Sequence, residues 1–153
     1  MRNEARNRGV DGARLVFAPD MAQAEHLARL QLADLVLDTS PYGAHTNASD
    51  ALWGRHVVTR PGATFSSHIA GSLLHAVGLP ELIVEDEENY FGLALALAMQ
   101  PARLAALRDK LAANRASVPL FDVHSYTLAL EGLFHAMWRR YRAGLPNAAI
   151  YAS

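Results

Sequence analysis

Short apolar runs bounded by turn residues alternate along the chain with longer segments of helical periodicity, and that alternation predicts the architecture. Residues 1–9 read as a helix end, because Glu4, Ala5 and Arg6 favour helix and Gly9 terminates it. Arg14 to Phe17 predicts a first strand, which Pro19 and Asp20 break, and Met21 to Gln31 carries Ala24, Leu27, Ala28 and Leu30 as a helix. Leu35 to Asp38 predicts a second strand, Asn47 to Trp53 a short helix, and His56 to Thr59 a third strand. Beyond the Pro61-Gly62 turn, a helix capped by Thr64 or Ser66 runs through Ile69, Leu73, Leu74 and Val77 to Gly78. Leu82 to Val84 predicts a fourth strand. Asp86 or Glu87 opens the next helix, whose Tyr90 to Met99 stretch is apolar nearly all round and so predicts a well-covered element. Pro101 starts another helix, reaching to about Ser117. Strands and helices in this order predict an α/β fold, a doubly wound parallel sheet covered on both faces.

The last helix, about His124 to Arg142, places Tyr126, Leu130, Leu133, Phe134, Met137, Trp138 and Tyr141 three or four residues apart on one face. Such a stripe is buried either against its own sheet or against a partner domain.

Composition narrows the function classes. At 153 residues the chain has the size of one domain, read here as residues 1–153. Fourteen basic against fifteen acidic residues leave a net charge of -1, which recruits neither nucleic acid nor an acidic membrane surface. The absence of cysteine removes disulfides, thiol catalysis and thiolate zinc sites. The charged start of the chain, with no apolar core behind it, is no secretory signal, and no apolar run reaches membrane-spanning length. The expectation is a cytoplasmic protein.

Ligands of an open parallel sheet bind beyond the carboxyl ends of its strands. That rule singles out the loops after Phe17, Leu37, Thr59 and Val84, of which the first two carry candidate chemistry. The first holds Pro19, Asp20 and Met21 and leads to a helix with His26 and Arg29 one turn apart, able to stack on or hydrogen-bond a flat base. The second carries His45, Thr46 and Asn47, donors and small side chains at a helix start where a phosphate can sit, with Asp50 a turn further on to accept from ribose hydroxyls. Each feature also has a plainer explanation. Thr46 or Asn47 caps a helix, Arg29 pairs with Glu25, Asp50 faces the helix dipole, and Asp38 braces its loop. His56, His68, His75, His124 and His135 show no metal-ligand spacing, and the glycine-rich Rossmann fingerprint, the P-loop and the serine nucleophile elbow are all missing. Read from the residues alone, this is a nucleotide-binding half-site without an evident catalytic base.

A set of ordered segments strengthens that reading: Gln31-Leu-Ala-Asp-Leu-Val-Leu-Asp-Thr39, Gly43-Ala-His-Thr46, Asp50-Ala-Leu-Trp53, Val58-Thr-Arg-Pro-Gly62, Ala70-Gly-Ser-Leu73, Gly78-Leu-Pro-Glu-Leu82 and Pro119-Leu-Phe-Asp122. Together they resemble the C-terminal catalytic lobe of protein O-linked N-acetylglucosamine transferases, including bacterial homologues with tetratricopeptide repeats and the plant SPINDLY proteins. The similarity runs from Arg14 to about Gly144. It implies a Rossmann-like lobe of a GT-B glycosyltransferase lacking its first strand-helix unit. It also implies a UDP-sugar donor, UDP-GlcNAc, inverting transfer to Ser or Thr hydroxyls of a protein acceptor, and no metal or other cofactor. SPINDLY-like use of GDP-fucose, or a non-catalytic interaction module on the same fold, are the alternatives.

Carried over by position, the resemblance puts His26 and Arg29 at the base, His45, Thr46 and Asn47 at the diphosphate and Asp50 at the ribose, with Met21 and Gln23 also in the nucleotide site. It assigns no catalytic residue to this chain. Gln23 departs from the family's lysine, Asn47 replaces a second threonine, and Gly54-Arg-His56 is about one residue shorter than the common pattern. The N-terminal lobe and the repeats of the family are not in the sequence, so the resemblance implies a chain inactive alone, with the stripe over 124–142 partly exposed.

Overall fold

The computed structural model describes residues 1–115 and 117–151. Among them the chain is mostly helical: α1 (Arg2–Asn7), α2 (Gln23–Leu30), α3 (Thr46–Leu52), α4 (Phe65–Ala76), α5 (Glu87–Met99), α6 (Pro101–Asn114) and α7 (Val123–Arg142) surround two short strands, β1 (Val36–Leu37) and β2 (Val57–Val58). The strands are parallel, with Val36 opposite Val57 and Leu37 opposite Val58. The parallel direction agrees with the alternation of the sequence, and the two strands lie inside the predicted second and third runs.

The predicted four-stranded, doubly wound sheet is not what these residues form. Arg14 lies in a turn of 3₁₀ helix over Gly12–Arg14, and the extended Leu15 to Phe17 has no strand beside it, leaving Val16 86% exposed. A strand needs a partner for its backbone groups as well as an apolar pattern, and this segment has none. The predicted fourth strand is reduced for another reason. Pro80 opens a 3₁₀ turn over Pro80–Leu82, and its fixed φ favours that turn over extension. Sheet pairing survives there as a single parallel bridge, Thr59 to Ile83, built by Thr59 N–H to the Leu82 carbonyl and Val84 N–H to the Thr59 carbonyl, both 3.1 Å.

The helices follow their local signals more closely. Gly9 ends the first segment at φ 75°, and Gly78 ends α4 at φ 76°. The Asp86 carboxylate accepts from Asn89 N–H at 2.7 Å to start α5, and Asp122 accepts from Ser125 N–H at 3.0 Å to start α7. Thr64 stands at the head of α4, but no side chain caps that helix. α6 ends at Asn114, short of the predicted end near Ser117: Arg115 and Ser117 lie in turns, and Ala116 lies outside the described residues.

The core sits between β1–β2 and helices α3, α4, α5 and α6. Leu52, Val57, Val58, Leu74, Val77, Leu79, Leu82 and Leu97 are all fully buried in one cluster, which Leu104, Leu107 and Leu111 of α6 close. The expectation that α5 is well covered fails. Leu97 alone of its residues is buried, and Tyr90 and Leu93 pack against the core beside it, while Phe91 and Met99 are largely exposed. An all-round apolar pattern cannot say which face has a neighbour. α7 carries no buried residue, and Tyr126, Phe134, Trp138 and Tyr141 of its stripe are exposed. Of the two readings of the stripe, packing on its own sheet is not found.

His56 is the unusual core residue. It is fully buried just before β2, and neither ring nitrogen has a hydrogen-bond partner within ordinary distance. Burial pushes its pKa below 6.5 and the Arg108 and Arg55 cations add to that, with the Leu107 carbonyl opposing. A depressed folded-state pKa means the unfolded chain binds the proton more readily, so the contribution to stability is full above pH 6.5 and is lost as pH falls through the folded value. Thermal melts are expected to show the parent losing more stability between pH 7 and pH 5 than His56→Leu. Equal losses in the two proteins would show that His56 is not the responsible group.

Candidate functional site

The two sequence-predicted loops become two separate cavities, one at the head of α2 and one at the head of α3, and these two helices pack against each other. The first, of about 460 Å³, is lined by Ala18, Pro19, Asp20, Met21, Gln23, His26 and Arg29. One arginine organises it. Arg29 donates through one guanidinium nitrogen to the Pro19 carbonyl at 2.9 Å and through the other to Nδ1 of His26 at 2.9 Å. An arginine only donates, so Nδ1 of His26 is the acceptor and its proton resides on Nε2. The imidazole is thus a fixed, neutral plate whose Nε2–H can donate to a ligand. Arg29 forms no ion pair with Glu25, so the plainer explanation of that arginine does not hold.

The second cavity, about 330 Å³, is lined by Thr39, Tyr42, Gly43, Ala44, His45, Thr46 and Asn47. His45 stands at the head of α3, and no side chain caps the helix. Neither Thr46 nor Asn47 acts as the cap. The first backbone bonds are those of Ala48 and Ser49 N–H to the His45 carbonyl, at 3.0 and 3.1 Å, so the amides of Thr46 and Asn47 have no backbone acceptor. The His45 ring stacks on Tyr42, with centroids 5.1 Å apart, and donates from Nε2 to the Ser66 carbonyl at 3.1 Å. That bond ties the loop to the first turn of α4 and commits the imidazole. Asp50 lies on α3 one turn beyond Thr46, half buried, and lines neither cavity. The structure therefore groups Met21, Gln23, His26 and Arg29 in one place and His45, Thr46 and Asn47 in another.

Asp38 follows β1, is 8% exposed, and lines a separate cavity with Thr39, Ser40, Arg60, Glu87 and Tyr90. Its Oδ1 accepts from Thr39 N–H at 2.9 Å and Ala44 N–H at 2.6 Å, and its Oδ2 from the Thr59 hydroxyl at 2.6 Å. The loop-bracing explanation offered for Asp38 is the one its geometry supports. The Asp38 carbonyl accepts from the Tyr90 hydroxyl at 2.6 Å, across 52 residues of sequence. Burial, with the Asp38 charge adding, holds that phenol above its usual pKa and so keeps it a donor. Tyr90 and Ser66 were not foreseen as supports of this loop. The only local signal was a polar-tipped aromatic in the first turn of an otherwise apolar helix.

Comparison with known proteins gives this geometry a context. The sequence profile described as Glycosyl transferase family 41 matches residues 1–130. The chain is 41% identical over 140 residues to a UDP-N-acetylglucosamine–peptide N-acetylglucosaminyltransferase of Caenorhabditis elegans, covering 91% of this chain and 12% of that protein. A probable UDP-N-acetylglucosamine–peptide N-acetylglucosaminyltransferase SPINDLY of Petunia hybrida is 36% identical over 121 residues, or 78% of this chain and 13% of the relative. Among solved structures, a mutant O-GlcNAc transferase of Thermobaculum terrenum superposes with a TM-score of 0.84 and 37% identity, over 90% of this chain and 27% of that one. The chain thus spans about one-eighth of the length of these two curated relatives.

Proposed function

The chain belongs to glycosyl transferase family 41, and from that premise we propose that it is the donor-nucleotide-binding lobe of an inverting protein O-glycosyltransferase, moving N-acetylglucosamine from UDP-GlcNAc to Ser or Thr. The observation that carries the proposal is a pair of cavities of complementary chemistry, at the heads of two helices that pack on each other. One offers a flat, neutral imidazole held by Arg29. The other offers two backbone amides without backbone acceptors. A nucleoside diphosphate has a flat base and a charged tail, and it is the ligand class that uses both. In this reading His26 and Arg29 receive the base, with Met21 and Gln23 beside them, His45, Thr46 and Asn47 the diphosphate, and Asp50 the ribose. Fixed donors at the diphosphate stabilise the charge that builds on the departing UDP, so the reading needs no metal.

The overall fold proposed is the C-terminal lobe of a GT-B enzyme, with the uncovered stripe of α7 made to pack on the other lobe. The reading assigns no group of this chain as a catalytic base, so the chain alone is expected to bind donor without transferring sugar.

Calorimetric titration with UDP and with GDP tests the proposal. Saturable UDP binding, stronger than GDP binding, is expected, and His26→Ala and Asp50→Ala are each expected to weaken it several-fold, about 1 kcal/mol. A folded chain that prefers GDP would move the donor to a guanine nucleotide, and one that binds neither would overturn the donor-lobe reading.

A further inference from the structure

The loop that walls the second cavity, residues 39–44, contains no regular structure of its own, and its shape comes from one buried carboxylate. We infer that Asp38, fixed by Thr59 and Tyr90, is the positioning residue that sets this loop for the diphosphate; the inference rests on the donor-nucleotide reading above. Three independent segments converge on it. The Ala44 amide, six residues along the loop, donates to Oδ1 at 2.6 Å, which closes the loop into a ring. The Thr59 hydroxyl at the end of β2 holds Oδ2 at 2.6 Å and is itself fully buried. The Tyr90 hydroxyl of α5 donates to the Asp38 carbonyl, also at 2.6 Å, so both the backbone and the side chain of the residue are held.

The loop has its own tie as well. The Thr39 hydroxyl donates to the Tyr42 carbonyl at 3.0 Å, inside the ring that Asp38 closes. Both oxygens of the Asp38 side chain already accept from these partners, which hold the loop. The Asp38 charge also repels a diphosphate rather than attracting one. Its value to the site is therefore geometric, and this distinguishes it from a binding group. An asparagine can keep a carbonyl toward the Thr39 and Ala44 amides and turn its amide toward Thr59, whose hydroxyl then accepts. Alanine keeps none of these bonds.

The test compares UDP with uridine, the same base without phosphates, by NMR titration of the full chain. Asp38→Ala is expected to lower UDP affinity tenfold or more while uridine affinity stays within about twofold. Asp38→Asn is expected to recover UDP affinity to within about threefold of the parent. Tyr90→Phe, which leaves Asp38 and the packing of the ring in place, is expected to lower UDP affinity several-fold with uridine unchanged, and it carries the test should Asp38→Ala unfold. Equal losses for UDP and uridine would make Asp38 a general fold support and overturn the inference. So would a UDP preference that survives in both Asp38→Ala and Tyr90→Phe. A parent chain that binds neither ligand would overturn the donor-nucleotide reading and this inference with it.

Discussion

Leu74→Ala is expected to lower the unfolding free energy by about 3 kcal/mol, because it empties a fully buried position of α4 in the core cluster. The lost transfer energy of the removed methyl groups is only part of that cost. The rest comes from the cavity left among neighbours that have no room to collapse, since Leu52, Val57, Val77 and Leu79 around it are themselves completely buried. Phe134→Ala in α7 removes a larger side chain, yet Phe134 is exposed and in no core contact, so its cost is expected to stay within about 0.5 kcal/mol. Urea denaturation of both variants checks the pair. Comparable losses would mean that α7 packs on the body in solution, against the separation of the two regions described above.

The second large effect falls on the site. Gly43→Val is expected to abolish measurable UDP binding while the chain stays folded. Gly43 is buried, and its φ is not in the left-handed region, so glycine is needed there for space and not for conformation. A Cβ at this position would stand 3.0 Å from the Ser66 carbonyl oxygen and 3.2 Å from Oδ2 of Asp38. The first of these is backbone in the opening turn of α4 and cannot swing aside. The second is the carboxylate that shapes the loop. Valine adds two methyl groups to that conflict, so the loop must lift, breaking the Ala44 bond to Asp38 and the His45 bond to Ser66. Calorimetry with UDP reads the result. Parent-like affinity in a folded Gly43→Val chain would mean that the 39–47 cavity does not hold the diphosphate.

Helices and site residues were more legible in the sequence than strands were, and the reason is physical. Asp86, Asp122, Gly9 and Gly78 act on backbone groups within a few residues, so their effect can be read locally. Whether Arg14 to Phe17 pairs as a strand depends on what lies beside it, which no local pattern records. The same limit explains α5. Its run of leucines and alanines states that the helix is apolar, and only the surrounding chain decides that Leu97 is covered and Phe91 is not.

Within the site, His26, Arg29, His45, Thr46 and Asn47 were legible because loops at strand ends and helix starts concentrate unpaired donors. Asp50 was placed on α3 as expected, but outside both cavities. What sequence could not supply was the long-range support. The Tyr90 bond to Asp38 and the His45 bond to Ser66 span 52 and 21 residues, and no spacing rule links such positions. The Arg29 bond to the Pro19 carbonyl was hidden for the same reason at shorter range, because it depends on how the loop folds back over its helix.

The central claim is that the cavities at the heads of α2 and α3 together hold one nucleoside diphosphate. Amide-resolved NMR of the isotopically labelled chain, titrated with UDP, tests it most directly. The account predicts saturable shifts at the amides of Met21 to Arg29 and of Gly43 to Asn47, following a single binding curve, with the α7 amides unmoved. Shifts confined to α7, or two curves of different affinity for the two loops, would contradict it.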